Sequence, residues 1–382
     1  MGNLKLDIRR IAKRLVSVLL LAPWYRLCCL LPVDKKLVVL ADGHQNKMPY
    51  SMAALAAELK KYPDLKVVEY FHDYSFCGAL RGLMVMLRFM PLYARAGYVF
   101  LSDCYVPVSC CKKRKGTTVV QLWHSCGLMK RVGNDSDVEK KSLSPWQHRN
   151  YDVFTTSAPC VSDVLTPAMG IPRSVFSDVG VSRMDLQFDG DWVAQNRENF
   201  LRAYPEYRGK KLILWAPTFR GSAQEGYLAG REEILRLQKE LPEDYALIIK
   251  THRFARSKDI DTPVVWSAEV IQMFADILIT DYSSIMFDYL HFRRPLVLFA
   301  PDLEEYRAAV GLYLDYETLP GRLARDYAQL REAVLTAQVW ADDAYVARLD
   351  DLWAEQMAYC DGHSTEKLLA RIGLTPPARA MK

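Results

Sequence analysis

The chain has 382 residues, of which half are hydrophobic and a quarter are charged, and this composition excludes an intrinsically disordered protein. Its net charge of +5 is uneven, because residues 1–36 hold eight basic and two acidic side chains and so carry a net charge of +6. The rest of the chain is nearly neutral and contains no nucleic-acid-binding motif, which argues against nucleic acid as a partner.

The length is sufficient for two hydrophobic cores, since domains usually have about 100–200 residues. Nine cysteines are present, an odd number that includes two adjacent pairs, and this pattern predicts reduced thiols in the cytosol. No His or Cys cluster has the spacing of a zinc site. We therefore expect no metal ion and no cofactor.

The N-terminal segment, residues 1–36, has the pattern of an amphipathic helix. Its apolar residues recur at helical spacing, whereas its basic residues occupy much of the opposite face. This pattern is typical of a helix on an anionic membrane surface and predicts a peripheral protein on the cytoplasmic face of the cell membrane. A helix docked on the protein core and a span over residues 15–33 are the alternatives, although Pro23 and Arg26 interrupt that span.

A second apolar helix is predicted over Leu80–Tyr93. Arg81, Arg88 and Arg95 recur every seven residues and so fall on nearly one face of it. Two interpretations are equally compatible with this pattern: a helix that faces the membrane, and a buried helix whose arginines extend to solvent.

Strand-like apolar runs alternate with helical stretches along the chain, and this alternation predicts an α/β protein with mainly parallel sheets. We divide the chain into a membrane-association segment (1–36), an N-terminal Rossmann-like acceptor domain (37–200), a C-terminal Rossmann-like donor domain (201–370) and a flexible tail (371–382). The polar stretch 191–211 is the candidate hinge. The predicted strands are Leu37–Leu40, Lys66–Tyr70, Tyr98–Leu101, Thr117–Trp123, Val153–Thr156, Leu212–Ala216, Ala246–Ile249, Val264–Trp266, Ile277–Thr280 and Leu296–Phe299.

His124 is the candidate general base of the N-terminal half. It follows a predicted strand and begins a glycine-containing loop, and the ordinary pKa of an imidazole is close to neutrality. A histidine that simply packs beside Trp123 is the structural alternative.

Three strands of the C-terminal half end in polar loops, where ligands of open α/β sheets bind. The stretch after Ile277–Thr280 is the most informative of these, since small hydroxyl side chains begin a short helix over residues 285–292 and can bind a phosphate there. Cations and hydroxyls at one sheet edge suit a diphosphate. The loop residues are Thr218, Arg220, Lys250, His252, Asp281, Ser283 and Ser284.

Together these motifs resemble the CDP-glycerol glycerophosphotransferase family, which builds teichoic acids and related capsular polymers. The resemblance covers residues 37–367 and is collinear. It rests on Trp123-His124 with Gly127 and Lys130, Trp215-Ala216-Pro217-Thr218-Phe219-Arg220, Lys250-Thr251-His252, Thr280-Asp281-Tyr282-Ser283-Ser284 with Phe287-Asp288, and Asp361-Gly362 with Ser364, Thr365 and Glu366. The chain departs from the family pattern at Ser125-Cys126, Arg253, Gly180-Val181-Ser182-Arg183-Met184-Asp185 and Lys367.

The resemblance implies a glycosyltransferase-B arrangement, with two Rossmann-like domains facing across a cleft. It implies transfer of glycerol phosphate or a related polyol phosphate from CDP-glycerol or CDP-ribitol to a hydroxyl of a lipid-linked glycan or growing polymer, with release of CMP. His124 and His252 would be catalytic, Arg220, Ser283 and Ser284 would bind the donor pyrophosphate, and Asp361, Ser364 and Thr365 would bind the nucleotide. Lys250, Asp281 and Thr218 would support them. The alternatives are a nucleotide-sugar glycosyltransferase on the same fold and an inactive membrane scaffold.

Overall fold

A computed structural model describes residues 16–74, 77–137, 147–221, 226–250 and 263–376 of the chain. These residues form two compact units. The described residues of Met1–His124, Val132–Asp185 and Tyr359–Lys382 form unit 1. Those of Ser125–Arg131 and Leu186–Ala358 form unit 2.

Unit 1 is built on a six-stranded sheet in the order β2-β1-β3-β4-β5-β6, and every pair of neighbouring strands is parallel. Its strands are β1 (Asp34–Asp42), β2 (Lys66–Phe71), β3 (Ala96–Leu101), β4 (Thr118–Gln121), β5 (Val153–Thr155) and β6 (Phe176–Ser177). Its helices are α1 (Ala22–Cys28), α2 (Tyr50–Leu59), α3 (Ala79–Arg95), α4 (Val106–Cys110), α5 (Pro159–Met169) and, from the end of the chain, α15 (Ser364–Arg371).

Unit 2 contains a five-stranded parallel sheet in the order β11-β10-β9-β7-β8. Its strands are β7 (Lys211–Trp215), β8 (Tyr245–Ile249), β9 (Ile277–Thr280), β10 (Leu296–Phe299) and β11 (Arg322–Ala324). The helices between β6 and α15 are α6 (Asp185–Phe188), α7 (Gly190–Ala203), α8 (Arg231–Glu240), α9 (Ala268–Ile271), α10 (Ile285–Tyr289), α11 (Leu303–Ala309), α12 (Tyr327–Leu335), α13 (Ala337–Trp340) and α14 (Asp343–Gln356).

The central strands form where the sequence has continuous apolar runs rather than alternation. β9 and β10 are buried along their whole length, as expected for strands covered by helices on both faces. The predicted α/β class with parallel sheets is thus confirmed.

The sequence prediction and the structure differ at a few elements. Val264–Trp266 is not a strand: Val265 is 84% exposed, and its backbone N–H donates to the hydroxyl of Tyr204 at 3.0 Å instead of to a neighbouring strand. β6 and β11 were not predicted, because strands of two and three residues are too short to show a periodic pattern.

Much of the polar stretch 191–211 is helix α7, and its predicted role as a hinge stays a prediction. The sequence of this helix is mostly polar because only Phe200 and Leu201 of its residues are buried. The main part of unit 2 runs from Leu186 to Ala358, and α15 lies in unit 1, whereas the predicted limits were 37–200 and 201–370. Residues 359–370 therefore lie with the first sheet, although the sequence placed them with the second.

Residues 16–36 pack on unit 1 through one face and leave the other exposed. Ser17–Leu21 forms a π-helical turn that continues into α1, and the ring of Tyr25 stacks on Tyr93 of α3 at 5.0 Å. The first 15 residues of the predicted amphipathic helix lie outside the described part of the chain. Among the helices that the structure describes, none has both the length and the apolar character needed to cross a bilayer.

Candidate functional site

In each sheet the strand order reverses at one position, and polar side chains lie beside that position. In unit 1 the order reverses between β1 and β3, which opens a crevice beyond the carboxyl ends of these strands. His44 follows β1, Asp103 follows β3, and His124 follows the next strand, β4. The fold therefore brings together three titratable residues that are far apart in the sequence.

The carboxylate of Asp103 lies between two imidazoles. Its Oδ2 atom is 3.9 Å from Nδ1 of His124 and 3.8 Å from Nε2 of His44. The side chain of His124 is 50% exposed, so its ring remains accessible to a substrate. This arrangement suits proton transfer at the edge of the sheet.

The backbone that carries His124 is held in an unusual conformation. Trp123 has a φ of +59°, which is rare for a residue with a large side chain, and its N–H donates to Oε1 of Gln121 at 3.0 Å. Nη1 of Arg183 donates to the carbonyl oxygen of His124. The His124 ring also lies 4.5 Å from the Trp123 ring, so it both packs beside Trp123, as the structural alternative expected, and stays half-exposed.

His44 and Asp103 were not among the site residues predicted from the sequence. Both come within two residues of a correctly predicted strand, and a polar residue directly after a buried parallel strand is the signal that identified the other site residues. The same criterion, applied to β1 and β3, would have found them.

In unit 2 the strand order reverses between β7 and β9, and a buried ionic network lies there. Nη2 of Arg220 is 2.9 Å from Oδ2 of Asp281, and its Nε is 2.7 Å from Oδ2 of Asp302. The other Asp281 oxygen accepts the N–H of Thr218 at 2.7 Å. The structure thus brings together Thr218, Arg220 and Asp281, and adds Asp302.

Arg220 is a structural centre of this network. Its side chain is only 6% exposed, and Nη1 donates to the carbonyl oxygen of Thr218 at 2.6 Å. The guanidinium also lies 4.9 Å from the ring centroid of Tyr282 and 4.7 Å from that of Tyr306. These contacts favour a positioning role for Arg220, while its predicted contact with the donor pyrophosphate stays a prediction.

The charges of the network shift one another's pKa values. Burial alone would lower the pKa of Arg220, but the two carboxylates outweigh it and raise that pKa above its ordinary value. Burial raises the pKa of Asp281, and the charge of Arg220 opposes that shift. For Asp302 burial acts in the same direction, but the hydrogen bonds and charge of Arg220 prevail and its pKa lies below the ordinary value.

Ser283, Ser284 and Lys250 lie on the same edge of the unit 2 sheet. Ser283 and Ser284 follow Asp281 directly and are partly exposed at the start of α10. Lys250 directly follows β8, and its Nζ donates to the carbonyl oxygen of Val264 at 2.8 Å. Burial lowers the pKa of Lys250. His252 lies outside the residues that the structure describes, so its predicted catalytic role stays a prediction.

The residues predicted to bind the nucleotide lie in unit 1, at the start of α15. The N–H groups of Ser364 and Thr365 donate to the two carboxylate oxygens of Asp185 at 3.0 and 2.7 Å. Asp361 is exposed and pairs with Lys367, whose hydrogen bond is the main cause of a lowered Asp361 pKa. Asp185 therefore caps this helix, and the side chains of Ser364 and Thr365 are buried, so their predicted contact with a nucleotide stays a prediction.

Within the ranges that the structure describes, no group of three His, Cys, Asp or Glu side chains is arranged to hold a metal ion. The chemistry that the described residues can supply is proton transfer at His124 and charge stabilisation by oriented donors.

The chain is similar in sequence and in structure to known proteins. The model of a family described as CDP-Glycerol:Poly(glycerophosphate) glycerophosphotransferase matches residues 24–374. The teichoic acid ribitol-phosphate primase of Bacillus spizizenii is 29% identical over 366 residues, which cover 90% of this chain and 92% of that protein. The teichoic acid glycerol-phosphate primase of Bacillus subtilis is 29% identical over 71% of this chain and 72% of that protein.

The chain spans about half of the polymerase relatives, such as the ribitol-phosphate polymerase TarL of Staphylococcus aureus (28% identity; 76% of this chain, 54% of TarL). Among solved structures, the wall teichoic acid polymerase TagF superposes with a TM-score of 0.74 at 19% identity, over 97% of each chain. The S. aureus MnaA–UDP structure superposes with a TM-score of 0.52 at 13% identity, over 90% of this chain and 98% of that one. At these identities the structures establish a shared fold.

Proposed function

Because the chain belongs to the CDP-glycerol:poly(glycerophosphate) glycerophosphotransferase family, we propose that it transfers glycerol phosphate or ribitol phosphate from a CDP-polyol to a hydroxyl group, in teichoic acid synthesis. The match over residues 24–374 confirms the resemblance that its motifs predicted, and it identifies the chain as a transferase. Ribitol- and glycerol-phosphate primases are both among its relatives, so both polyols are candidates. The acceptor we propose is a lipid-linked glycan or growing polymer.

The observation that carries this proposal is the half-exposed imidazole of His124 at the switch point of unit 1. In the proposed reaction the acceptor oxygen attacks the β-phosphorus of the donor, and His124 takes the hydroxyl proton. The new P–O bond forms as the P–O bond to CMP breaks, and CMP leaves with the negative charge. Such phosphoryl transfer depends mainly on positioning and on stabilisation of charge.

In this proposal the polar edge of unit 2 binds the donor pyrophosphate. Ser283 and Ser284 supply partly exposed hydroxyl groups, and His252 contributes a second imidazole. Asp361, Ser364 and Thr365 contribute to the nucleotide site. For these residues to act on one donor, the two Rossmann-like units must face across a cleft in the glycosyltransferase-B manner, which we include in the proposal.

The test is to incubate purified protein with a lipid-linked disaccharide and with CDP-glycerol, CDP-ribitol or a panel of UDP- and GDP-sugars, and to measure the nucleotide released. Acceptor-dependent CMP release is the expected result. His124→Ala should lower kcat by at least about 10²-fold while donor binding survives. His72→Ala, which removes an exposed histidine just beyond β2, is the control for loss of an imidazole at the same sheet edge. Release of UDP or GDP would instead indicate a sugar transferase, and no release from any donor would indicate a scaffold.

We further propose that the protein lies on the anionic cytoplasmic surface of the cell membrane. An apolar face of unit 1 supports this: it consists of the exposed side chains of Val18, Leu19, Leu20, Leu27, Leu30, Leu31, Leu80 and Met84. The indole N–H of Trp24 donates to the carbonyl oxygen of Leu87 at 3.0 Å and so joins α1 to α3. Exposed apolar side chains on two joined helices are typical of membrane or partner surfaces.

Basic residues accompany the apolar face. Arg114 donates to the carbonyl oxygen of Leu31 at 2.5 Å, so the turn that holds the exposed Lys112 and Lys115 is tied to the end of this face. Arg81, Arg88 and Arg95 of α3 are all exposed, in agreement with their predicted spacing. Exposed cations beside apolar side chains favour a surface that carries anionic lipids.

Sedimentation with lipid vesicles tests this localisation. The protein should bind vesicles that contain phosphatidylglycerol more strongly than vesicles of phosphatidylcholine alone. Leu27→Glu/Leu30→Glu should weaken that binding, whereas Val339→Glu, which changes a 79% exposed apolar residue of unit 2, should leave it unaltered. Equal sedimentation of wild type and the double variant would contradict the proposed face.

A further inference from the structure

Asp103 has the position of a residue that orients the base of the reaction. Its Oδ2 atom lies 3.9 Å from Nδ1 of His124. Its other oxygen, Oδ1, accepts the backbone N–H of Cys104 at 2.6 Å, and this bond holds the carboxyl group in a defined orientation. One oxygen is thus engaged by the backbone, and the other lies beside the imidazole.

The loops around this carboxylate are held by a second acid, Asp42. Asp42 is 4% exposed and ends β1, and its Oδ2 accepts the hydroxyl of Ser102, the residue before Asp103. Its Oδ1 accepts the backbone N–H of His44 at 2.7 Å. The loops after β1 and β3 are therefore joined through one buried side chain, so the position of Asp103 is determined by the sheet itself.

We propose that Asp103 is a positioning residue that accepts a hydrogen bond from Nδ1–H of His124, so that Nε2 carries the lone pair that takes the acceptor proton. A neutral imidazole has a single N–H, and the partner of one nitrogen determines which nitrogen is the base. The inference rests on the proposed function. The 3.9 Å separation exceeds a direct hydrogen bond, and the proposal requires a small rotation of the half-exposed ring to close it.

The proton balance of the step involves only this pair. When the acceptor oxygen bonds to phosphorus, its proton moves to Nε2, and the imidazolium then has an N–H at both nitrogens. The Asp103 carboxylate stabilises that cation by its charge without taking the proton itself. His44, whose Nε2 is 3.8 Å from the same oxygen, is the second neighbour of this carboxylate.

The tautomer of His124 is the direct test, and it does not depend on activity. In wild-type protein labelled with ¹⁵N-histidine at pH 8.5, the His124 signals, identified by their absence in His124→Gln, should show the Nδ1–H tautomer. In Asp103→Asn the amide can donate to Nδ1 instead, so the Nε2–H tautomer should prevail. Asp64→Asn, which removes an exposed acid before β2, is the matched control and should keep the wild-type tautomer.

The kinetic test follows CMP release with saturating acceptor. Asp103→Asn should lower kcat by about 10²–10⁴-fold with the donor KM within about threefold of wild type, because a base in the wrong tautomer cannot accept the proton. Asp103→Glu retains a carboxylate, and its kcat should be at least about tenfold higher than that of Asp103→Asn. Circular dichroism checks that each variant is folded.

Three results would overturn the inference: a wild-type His124 in the Nε2–H form, a tautomer that does not change in Asp103→Asn, or a kcat for that variant within threefold of wild type. The first needs no Asp103 variant and therefore holds even if Asp103→Asn does not fold. If wild-type protein releases no CMP from any CDP-polyol, the proposed function fails, and the tautomer comparison still decides whether Asp103 and His124 form a pair.

Discussion

Replacement of Arg220 by methionine tests whether the network of unit 2 is structural. The Arg220 side chain is 6% exposed and its partner Asp281 is 4% exposed, so Arg220→Met leaves a buried carboxylate without its counter-charge. Breaking a buried ion pair by removing one partner typically costs about 3–5 kcal/mol. Loss of the contacts with the rings of Tyr282 and Tyr306 adds about 1–2 kcal/mol. The expected destabilisation is therefore about 4–7 kcal/mol.

A second substitution distinguishes the cost of an unpaired buried charge from the cost of the lost side-chain contacts. Asp281→Asn in the Arg220→Met background removes the more deeply buried of the two unpaired charges, the other being Asp302, and leaves an amide oxygen that can still accept the N–H of Thr218. This double variant should recover roughly 1–3 kcal/mol of the loss. The control is Arg322→Met, since Arg322 lies 3.9 Å from Glu332 in a pair whose side chains are both more than half exposed. Its effect should stay within about 0.5 kcal/mol.

The assay must report on unit 2 alone, because a chain with two compact units need not unfold in one step. Hydrogen exchange followed by mass spectrometry meets this need. In Arg220→Met, peptides that contain β7 and β9 should exchange faster, while peptides that contain β3 should keep their protection. Urea unfolding supplies the total free energy. An Arg220→Met protein within about 1 kcal/mol of wild type that binds CDP-glycerol 100-fold more weakly would refute a structural role and make Arg220 a donor ligand.

Three further predictions concern other sites. Burial lowers the pKa of His148 to about 4, so the folded state favours the neutral ring, and its contribution to stability is full above pH 6.5 and is lost as the pH falls to 4. The difference in unfolding free energy between wild type and His148→Phe should change by up to about 3 kcal/mol across that window in urea titrations. Gly127→Ala should destabilise the protein by about 2–3 kcal/mol in the same assay, since its φ is +61° and a Cβ would lie 2.4 Å from the ring of Phe287. Asp185→Ala should cost about 1–2 kcal/mol and speed hydrogen exchange in α15, because it leaves two N–H groups uncapped; exchange unchanged from wild type would contradict that role.

Much of the fold could be predicted from local sequence. The apolar runs at Ile277–Thr280 and Leu296–Phe299 became β9 and β10, and the short helix between them begins after the predicted small polar residues. A continuous apolar run indicates a strand that is buried on both faces, and this run is visible in the sequence of the segment alone. The family could be identified from sequence for a related reason, since its motifs are short stretches directly after such strands.

Tertiary structure alone decided which side chains meet. Arg220 pairs with Asp302, 82 residues away, and Asp185 caps a helix that begins 179 residues later. Asp103 and His44 join His124 because β1, β3 and β4 are neighbours in the sheet. Periodicity describes one segment at a time, whereas the partner of a charge depends on the order in which distant strands pair. For this reason the sequence by itself determined the strands and the edge at which chemistry occurs, and only the folded sheet determined which charges are neutralised and which imidazole has a carboxylate beside it.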